Sequence, residues 1–294
     1  MTRPSGALFA ALLLGCGPEP AAAAATSKPE TQTPPDLETS APTSQAGASR
    51  CSLATGGSEH TIAVGDTTRE YLVHVGSELS TPPAVVFAWH GFGSNPEGSL
   101  AAMNGSAFWN DAIVVAPRGM PRTFEQFGDR PALGWQVASG ELDDRDLALF
   151  DTLVTKLASL GCLDETRVYT AGVSNGGFFS NVLACHRGDV IAAAAPTGGG
   201  GPFVLPCGPS VPVLVTHGRK DKVVPYPSAT KTFAHWAEHN GCNADAAPPD
   251  DGCAAATCPT GATVRMCSEN LGHRWPRGQA KRTAAFLRQF AKPR

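Results

Sequence analysis

The sequence has no excess of charge of either sign, no long apolar run and no CxxC pair, and each absence removes a class of function. Lysine and arginine number 23 against 26 aspartates and glutamates, a net charge of -3. With no basic surplus to neutralise a phosphate backbone, nucleic acid is not an expected partner. The longest apolar stretch near the start is about half of the ~20 residues that a membrane-spanning helix needs. None of the nine cysteines stands in CxxC spacing, so the double-knuckle zinc pattern is missing. No internal repeat is present. A 42% hydrophobic fraction with ordinary glycine and proline content excludes a disordered or collagen-like chain.

What is present divides into three parts. Arg3 supplies a positive start, residues 7–14 an apolar core, and Leu13-Leu14-Gly15-Cys16 a bacterial lipobox, so residues 1–16 read as a signal peptide with lipidation expected at Cys16. The alternative is an ordinary signal peptide cut near the alanines at 21–25. Both export the protein, either lipid-anchored to a bacterial membrane or secreted. Residues 17–50 are alanine, threonine, proline and serine without periodicity; they cannot offset their ordering entropy by burial and read as a flexible tether. Residues 51–294 make one domain of ordinary enzyme size. Setting Cys16 aside leaves eight cysteines, and an oxidising compartment favours four disulfides with 105 possible connectivities.

Within that domain, short apolar runs alternate with helix-period segments. Residues 61–64 and 70–75 read as an antiparallel pair around Gly65-Asp66. The runs at 84–89, 112–116, 168–171, 191–195 and 211–216 are almost continuously apolar, as strands buried on both faces are. Leu147, Phe150, Val154 and Leu157 recur at helical spacing, with Asp143 placed to cap that helix and Gly161 to end it. Helices are also expected over 230–240 and 281–290. This alternation predicts an α/β domain around a mostly parallel central sheet flanked by helices.

Gly172-Val173-Ser174-Asn175-Gly176-Gly177 lies between an expected strand and an expected helix. A G-x-S-x-G there is a nucleophile elbow, whose glycines allow the tight turn that exposes the serine hydroxyl. A serine nucleophile needs a base, and the base needs a carboxylate, in the chain order Ser, acid, His on such a sheet. Asp221, on the loop after the strand at 211–216, is the preferred acid over Asp250 and Asp251. His273, on a loop before the last helix, is the preferred base over His235 and His239, which fall on a helix. The oxyanion hole is expected from the backbone N–H groups of Asn175 and Phe92, the latter between Gly91 and Gly93, with His90 fixing that loop. Trp135, Tyr226 and Trp275 are candidates for the substrate pocket, and Trp135 and Tyr226 fit the core equally well. Pocket walls are expected chiefly from the loops at 118–142 and 197–210.

With these residues, the domain resembles the secreted family that joins polyhydroxybutyrate depolymerases to feruloyl and acetylxylan esterases, the family 1 carbohydrate esterases and their relatives. The resemblance runs from about Thr61 to the end of the sequence. It is carried by His90-Gly91, Ala116-Pro117-Arg118-Gly119, Gly134-Trp135, Asp143-Asp144, Arg167-Val168-Tyr169 before the elbow, and His217-Gly218 with Asp221. It continues through Val224-Pro225-Tyr226, Trp236 with Asn240-Gly241-Cys242, and Gly272-His273-Arg274-Trp275-Pro276. It implies an α/β-hydrolase fold, a triad of Ser174, Asp221 and His273, and a disulfide between Cys242 and Cys258. Asn270-Leu271 stands where relatives often have glycines, Arg274 replaces a commoner small polar residue at the pocket rim, and Cys253 and Cys267 are additions. The chain stops after its last helix, without the polymer-binding module of many depolymerases, which favours small or oligomeric esters over granules.

The expected activity is therefore that of an exported serine carboxylesterase, monomeric and without cofactor or metal. It would act on feruloyl or acetyl carbohydrate esters or on hydroxyalkanoate oligoesters, touching a membrane only through its N-terminal lipid. Three alternatives compete. One is a peptidase on the same fold. Another is a zinc metallopeptidase using His235, Glu238 and His239 as H-x-x-E-H. The third is a non-catalytic lipoprotein binding module.

Overall fold

Runs of five or six β-branched and small apolar residues form the centre of the sheet, because only a strand covered on both faces can bury them all. The computed structural model describes residues 51–103, 105–128, 130–243 and 253–294. The leader with Cys16, the tether over 17–50, and Asp250 and Asp251 lie outside the described residues. The unit to which the described residues belong runs from Ala46 to Arg294.

In chain order its elements are β1 (Gly56–Val64), β2 (Thr67–Val75), β3 (Ala84–Trp89), α1 (Pro96–Met103), α2 (Gly105–Phe108), β4 (Ala112–Pro117), β5 (Met120–Arg122), β6 (Ala132–Gly134), α3 (Arg145–Ser159), β7 (Val168–Val173), α4 (Asn175–His186), β8 (Ile191–Thr197), β9 (Val213–Gly218), α5 (Pro227–His239), β10 (Ala254–Thr257), β11 (Thr263–Glu269) and α6 (Gln279–Leu287). Nine strands form one sheet in the order β1-β2-β4-β3-β7-β8-β9-β11-β10. The strands from β4 to β11 in that order run parallel, while β1, β2 and β10 join antiparallel at the two edges. The Gly65-Asp66 turn joins β1 to β2, with Val64 opposite Thr67.

Alternation along the strands divides the core between the two faces of the sheet. Val85, Phe87 and Trp89 face one side with α3, α4 and α5, where Phe150, Phe179 and Trp236 are fully buried. Val86 and Ala88 face the other with Met103, Ala284, Phe286 and Leu287 of α1 and α6. Each large side chain removed from water in this way contributes roughly 1.5–3 kcal/mol. Four disulfides close Cys51–Cys162, Cys185–Cys207, Cys242–Cys258 and Cys253–Cys267. The third is the pairing that the family resemblance implied.

The start of α3 differs from expectation. Asp143 does not cap it: Leu142, Asp143 and Asp144 are all left-handed, with φ of 53°, 55° and 52°. That conformation costs an L-residue roughly 1–2 kcal/mol, and tertiary hydrogen bonds hold it. Asp144 Oδ1 accepts from Gln136 Nε2 (2.6 Å) and from the Gly140 N–H (2.8 Å), and Glu141 Oε2 accepts from the Val137 N–H (2.6 Å). Beneath them a buried ion pair, Arg69 with Asp146 at 3.0 Å, has Asp146 also accepting from the Gln136 N–H. The turn thereby anchors residues 136–137, which follow directly on Trp135.

Candidate active site

The carboxyl ends of β7, β9 and β11 deliver three side chains to one point. At the end of β7 the chain turns sharply, with Ser174 at φ 55° and ψ -119°, before α4 begins at Asn175. The turn is tight enough to need glycine on both sides. A Cβ on Gly172 would strike the carbonyl of Gly176, and one on Gly176 would strike that of Trp89. Ser174 is left partly exposed, its N–H donating to the Thr197 carbonyl at 2.8 Å.

His273 lies on the loop after β11. Its Nε2 is 2.8 Å from Ser174 Oγ and its Nδ1 is 2.6 Å from Asp221 Oδ2. A carboxylate only accepts, so Nδ1 carries the proton and Nε2 is free to accept the serine proton. Asp221 is buried, its side chain 1% exposed. Its Oδ1 accepts the N–H groups of Val223 and Val224, both at 2.9 Å. Lys220 and Lys222 point to solvent instead of pairing with it. Near the same carboxylate oxygen lies His217, fully buried, with Nε2 donating to the Val224 carbonyl at 2.8 Å and 3.4 Å from Asp221 Oδ2. This second imidazole was not singled out in the sequence, where it reads only as part of His217-Gly218.

Above the serine, the loop after β3 passes close to the elbow: a Cβ on Gly91 would lie 3.5 Å from Ser174 Cβ. Among the described residues no hydrogen bond uses the N–H of Phe92 or of Asn175. The loop is fixed through His90, whose Nε2 accepts from the Gly119 N–H (2.9 Å), leaving Nδ1–H to donate to the Gly91 carbonyl (2.8 Å). Burial pushes this imidazole below its ordinary pKa, in keeping with a tautomer that needs Nε2 bare.

Trp135 is corrected to a core residue. It is fully buried, packed edge-on to Trp89 and stacked on Phe179, with Nε1 donating to the His90 carbonyl at 2.9 Å, so no face is left for a substrate. Tyr226 is half-buried, its ring edge-on to His217. Trp275 is partly exposed and lines a surface groove with Phe108, Leu271 and Arg274, in which neither Ser174 nor His273 takes part. The loops at 118–142 and 197–210 supply aromatic side chains that sequence reading did not name. Phe124 and Phe127 pack on Phe92, with the Arg122 guanidinium 3.8 Å over the Phe124 ring. Phe178 meets Phe203, and Phe127, Phe203 and Leu205 are exposed.

The metallopeptidase alternative finds its histidines apart from this site. His235 and His239 stack at 6.0 Å on α5, and His235 Nε2 faces the sulfur of disulfide-bonded Cys207 at 3.7 Å. No group of three or more His, Cys, Asp or Glu among the described residues is disposed to hold a metal ion.

No family model matches the chain. Its sequence is 29% identical over 230 residues to feruloyl esterase B of Piromyces equi, covering 68% of this chain and 41% of that one. It is 30% identical over 168 residues to a probable feruloyl esterase C of Aspergillus terreus, covering 56% and 52%. The chain thus spans about half the length of these relatives. Acetyl xylan esterase from Aspergillus awamori shares its fold with a TM-score of 0.58, at 15% identity over 78% of this chain and 99% of that one. The domain therefore has the expected α/β-hydrolase fold, and its resemblance to the esterase family extends from motifs to aligned sequence.

Proposed function

We propose that this chain, related in sequence to feruloyl esterases and built on an α/β-hydrolase fold, is an exported serine carboxylesterase. The observation that carries the reading is the unbroken relay from Asp221 through His273 to Ser174, at 2.6 and 2.8 Å. Neutral His273 takes the Ser174 proton as Oγ attacks the ester carbonyl, and Asp221 stabilises the imidazolium that forms. The N–H groups of Phe92 and Asn175 receive the developing oxyanion. His273 returns the proton to the departing alcohol. Water then adds to the acyl-enzyme by the same route, releasing the acid and restoring Ser174. Every step is performed by side chains and backbone of this domain, so the reading asks for no metal or organic cofactor.

Exposed Phe127, stacked on Phe92 of the expected oxyanion loop, and exposed Phe203, against Phe178 one turn after Ser174, offer apolar surface to an acyl group, whether feruloyl, acetyl or hydroxyalkanoate. Four disulfides and the lipobox at Cys16 support a protein held outside the cytoplasm, lipid-anchored or secreted. The test is hydrolysis of methyl ferulate against a soluble 3-hydroxybutyrate oligomer, with Ser174→Ala as the blank. Ser174-dependent cleavage of either ester supports the reading, and the preferred one assigns the acyl class. Cleavage that persists in the blank overturns it.

A further inference from the structure

Arg122 ends β5, where it pairs with Ala132 of β6 in a two-stranded sheet separate from the main one. Its side chain is buried, only 6% exposed, and Glu141 neutralises it through two contacts, Nη2 to Oε1 at 2.9 Å and Nη1 to Oε2 at 3.3 Å. A guanidinium can work at its edge, as a fork of donors, and on its face, as a plate over an aromatic ring. Arg122 does both. At the edge, Nη1 also donates to the Trp135 carbonyl at 2.5 Å. On the face, the guanidinium carbon stands 3.8 Å from the centre of the Phe124 ring.

Each of these contacts leads to one of the expected oxyanion donors. The Trp135 carbonyl is the oxygen that Asn175 Nδ2 also holds, at 2.9 Å, so Arg122 and Asn175 share one acceptor. Gly134, the preceding residue, leaves room for both only as glycine: a Cβ there would lie 2.8 Å from Asn175 Oδ1 and 3.1 Å from Arg122 Cδ. In the other direction, Phe124 packs edge-on to Phe92 with ring centroids 5.0 Å apart. The Phe92 loop is pinned to the same small sheet, the Gly93 N–H donating to the Leu133 carbonyl at 2.8 Å. Arg122 thus touches the supports of both N–H groups.

We infer that Arg122 is a positioning residue for the oxyanion hole, its edge fixing Asn175 through the Trp135 carbonyl and its face fixing Phe92 through Phe124. The inference rests on the esterase reading and adds to it a residue that acts only through others. Donors aimed at developing charge lose their value when they drift. The effect of Arg122 therefore falls on the transition state and not on ground-state binding.

The test pairs p-nitrophenyl acetate turnover with two inhibitors. With a phenethyl trifluoromethyl ketone, Ser174 Oγ adds to the carbonyl carbon, His273 takes the serine proton and the carbonyl oxygen becomes an oxyanion. The matching trifluoromethyl carbinol occupies the site without forming one. Arg122→Gln should lower kcat/KM by roughly ten-fold and weaken the ketone by the same factor, with the carbinol unchanged. Arg122→Lys, which keeps the charge and one donor, should recover part of both losses. Combined with Asn175→Ala, Arg122→Gln should cost less than the product of the two single losses, as members of one network do. If Arg122→Gln does not fold, Phe124→Leu carries the test, since it removes the ring between the guanidinium and Phe92 and should weaken the ketone selectively. Unchanged ketone affinity, equal weakening of ketone and carbinol, or losses that multiply in full with Asn175→Ala overturn the positioning role while the wild type still cuts p-nitrophenyl acetate. A wild type that does not cut it overturns the esterase reading and the role with it.

Discussion

Asn175 grips the backbone of Trp135 at both ends: its Oδ1 accepts the Trp135 N–H at 2.7 Å and its Nδ2 donates to the Trp135 carbonyl at 2.9 Å. In the proposed mechanism the same residue offers its own N–H to the oxyanion, so its side chain would position that donor. Trp135 in turn holds the His90 carbonyl, and His90 holds the Phe92 loop. One buried network thus aligns both expected donors.

Asn175→Ala should cut that network while leaving the triad intact. Removing an oxyanion donor costs about 10²–10³ in kcat, and a donor displaced but still present should cost on the order of ten-fold. The loss is expected in kcat with KM little changed, measured by steady-state hydrolysis of a p-nitrophenyl ester.

The pH dependence of stability follows from His90. Its folded pKa lies below the ordinary 6.5 because of burial, so the unfolded chain takes up a proton that the folded chain refuses. Stability is then fully present above the unfolded value of about 6.5 and is lost as pH falls below it. His186 and His235, also lowered chiefly by burial, act in the same direction. Between pH 7.5 and pH 5 the Tm of the wild type should fall further than that of His90→Gln; equal falls would show that His90 does not govern the acid loss of stability.

His217 should matter to catalysis without touching substrate. Replacing it by leucine leaves the buried Val224 carbonyl unpaired, at a cost of about 1–3 kcal/mol, and frees the loop that carries Asp221. Lower kcat and a lower denaturation midpoint are expected together. His217→Gln, which can return a donor near the Nε2 position, should recover part of both.

The Cys51–Cys162 bridge closes a separation of 111 residues, for which chain entropy gives about 4–5 kcal/mol. Cys51→Ser should lower the unfolding free energy in urea by several kcal/mol, with the activity of the folded fraction unchanged because the bridge lies away from the triad.

Much of this arrangement is legible in sequence where the signal is local. The run before Gly172 announces a buried strand and the glycines after it a turn, so Ser174 can be read from a dozen residues. Asp221 and His273 are legible through chain order and their loop positions. What is hidden depends on distant partners. Arg69 and Asp146 pair across 77 positions with no local pattern to mark them. Asp143 looks like a helix cap, yet Gln136 and Asp144 impose a left-handed turn in its place. Trp135 follows a glycine in a loop, and nothing nearby in the chain reveals that its indole is enclosed by Trp89 and Phe179.

In the proposed mechanism Ser174 becomes acylated. Mixing the enzyme with excess p-nitrophenyl acetate should release a rapid burst of p-nitrophenol close to one equivalent per enzyme, followed by slower turnover if deacylation limits. Rapid quenching and mass determination should find the acetyl group on the peptide bearing Ser174. Ser174→Ala should show neither burst nor adduct. An adduct on another residue, or full turnover by Ser174→Ala, would rule out Ser174 as the nucleophile.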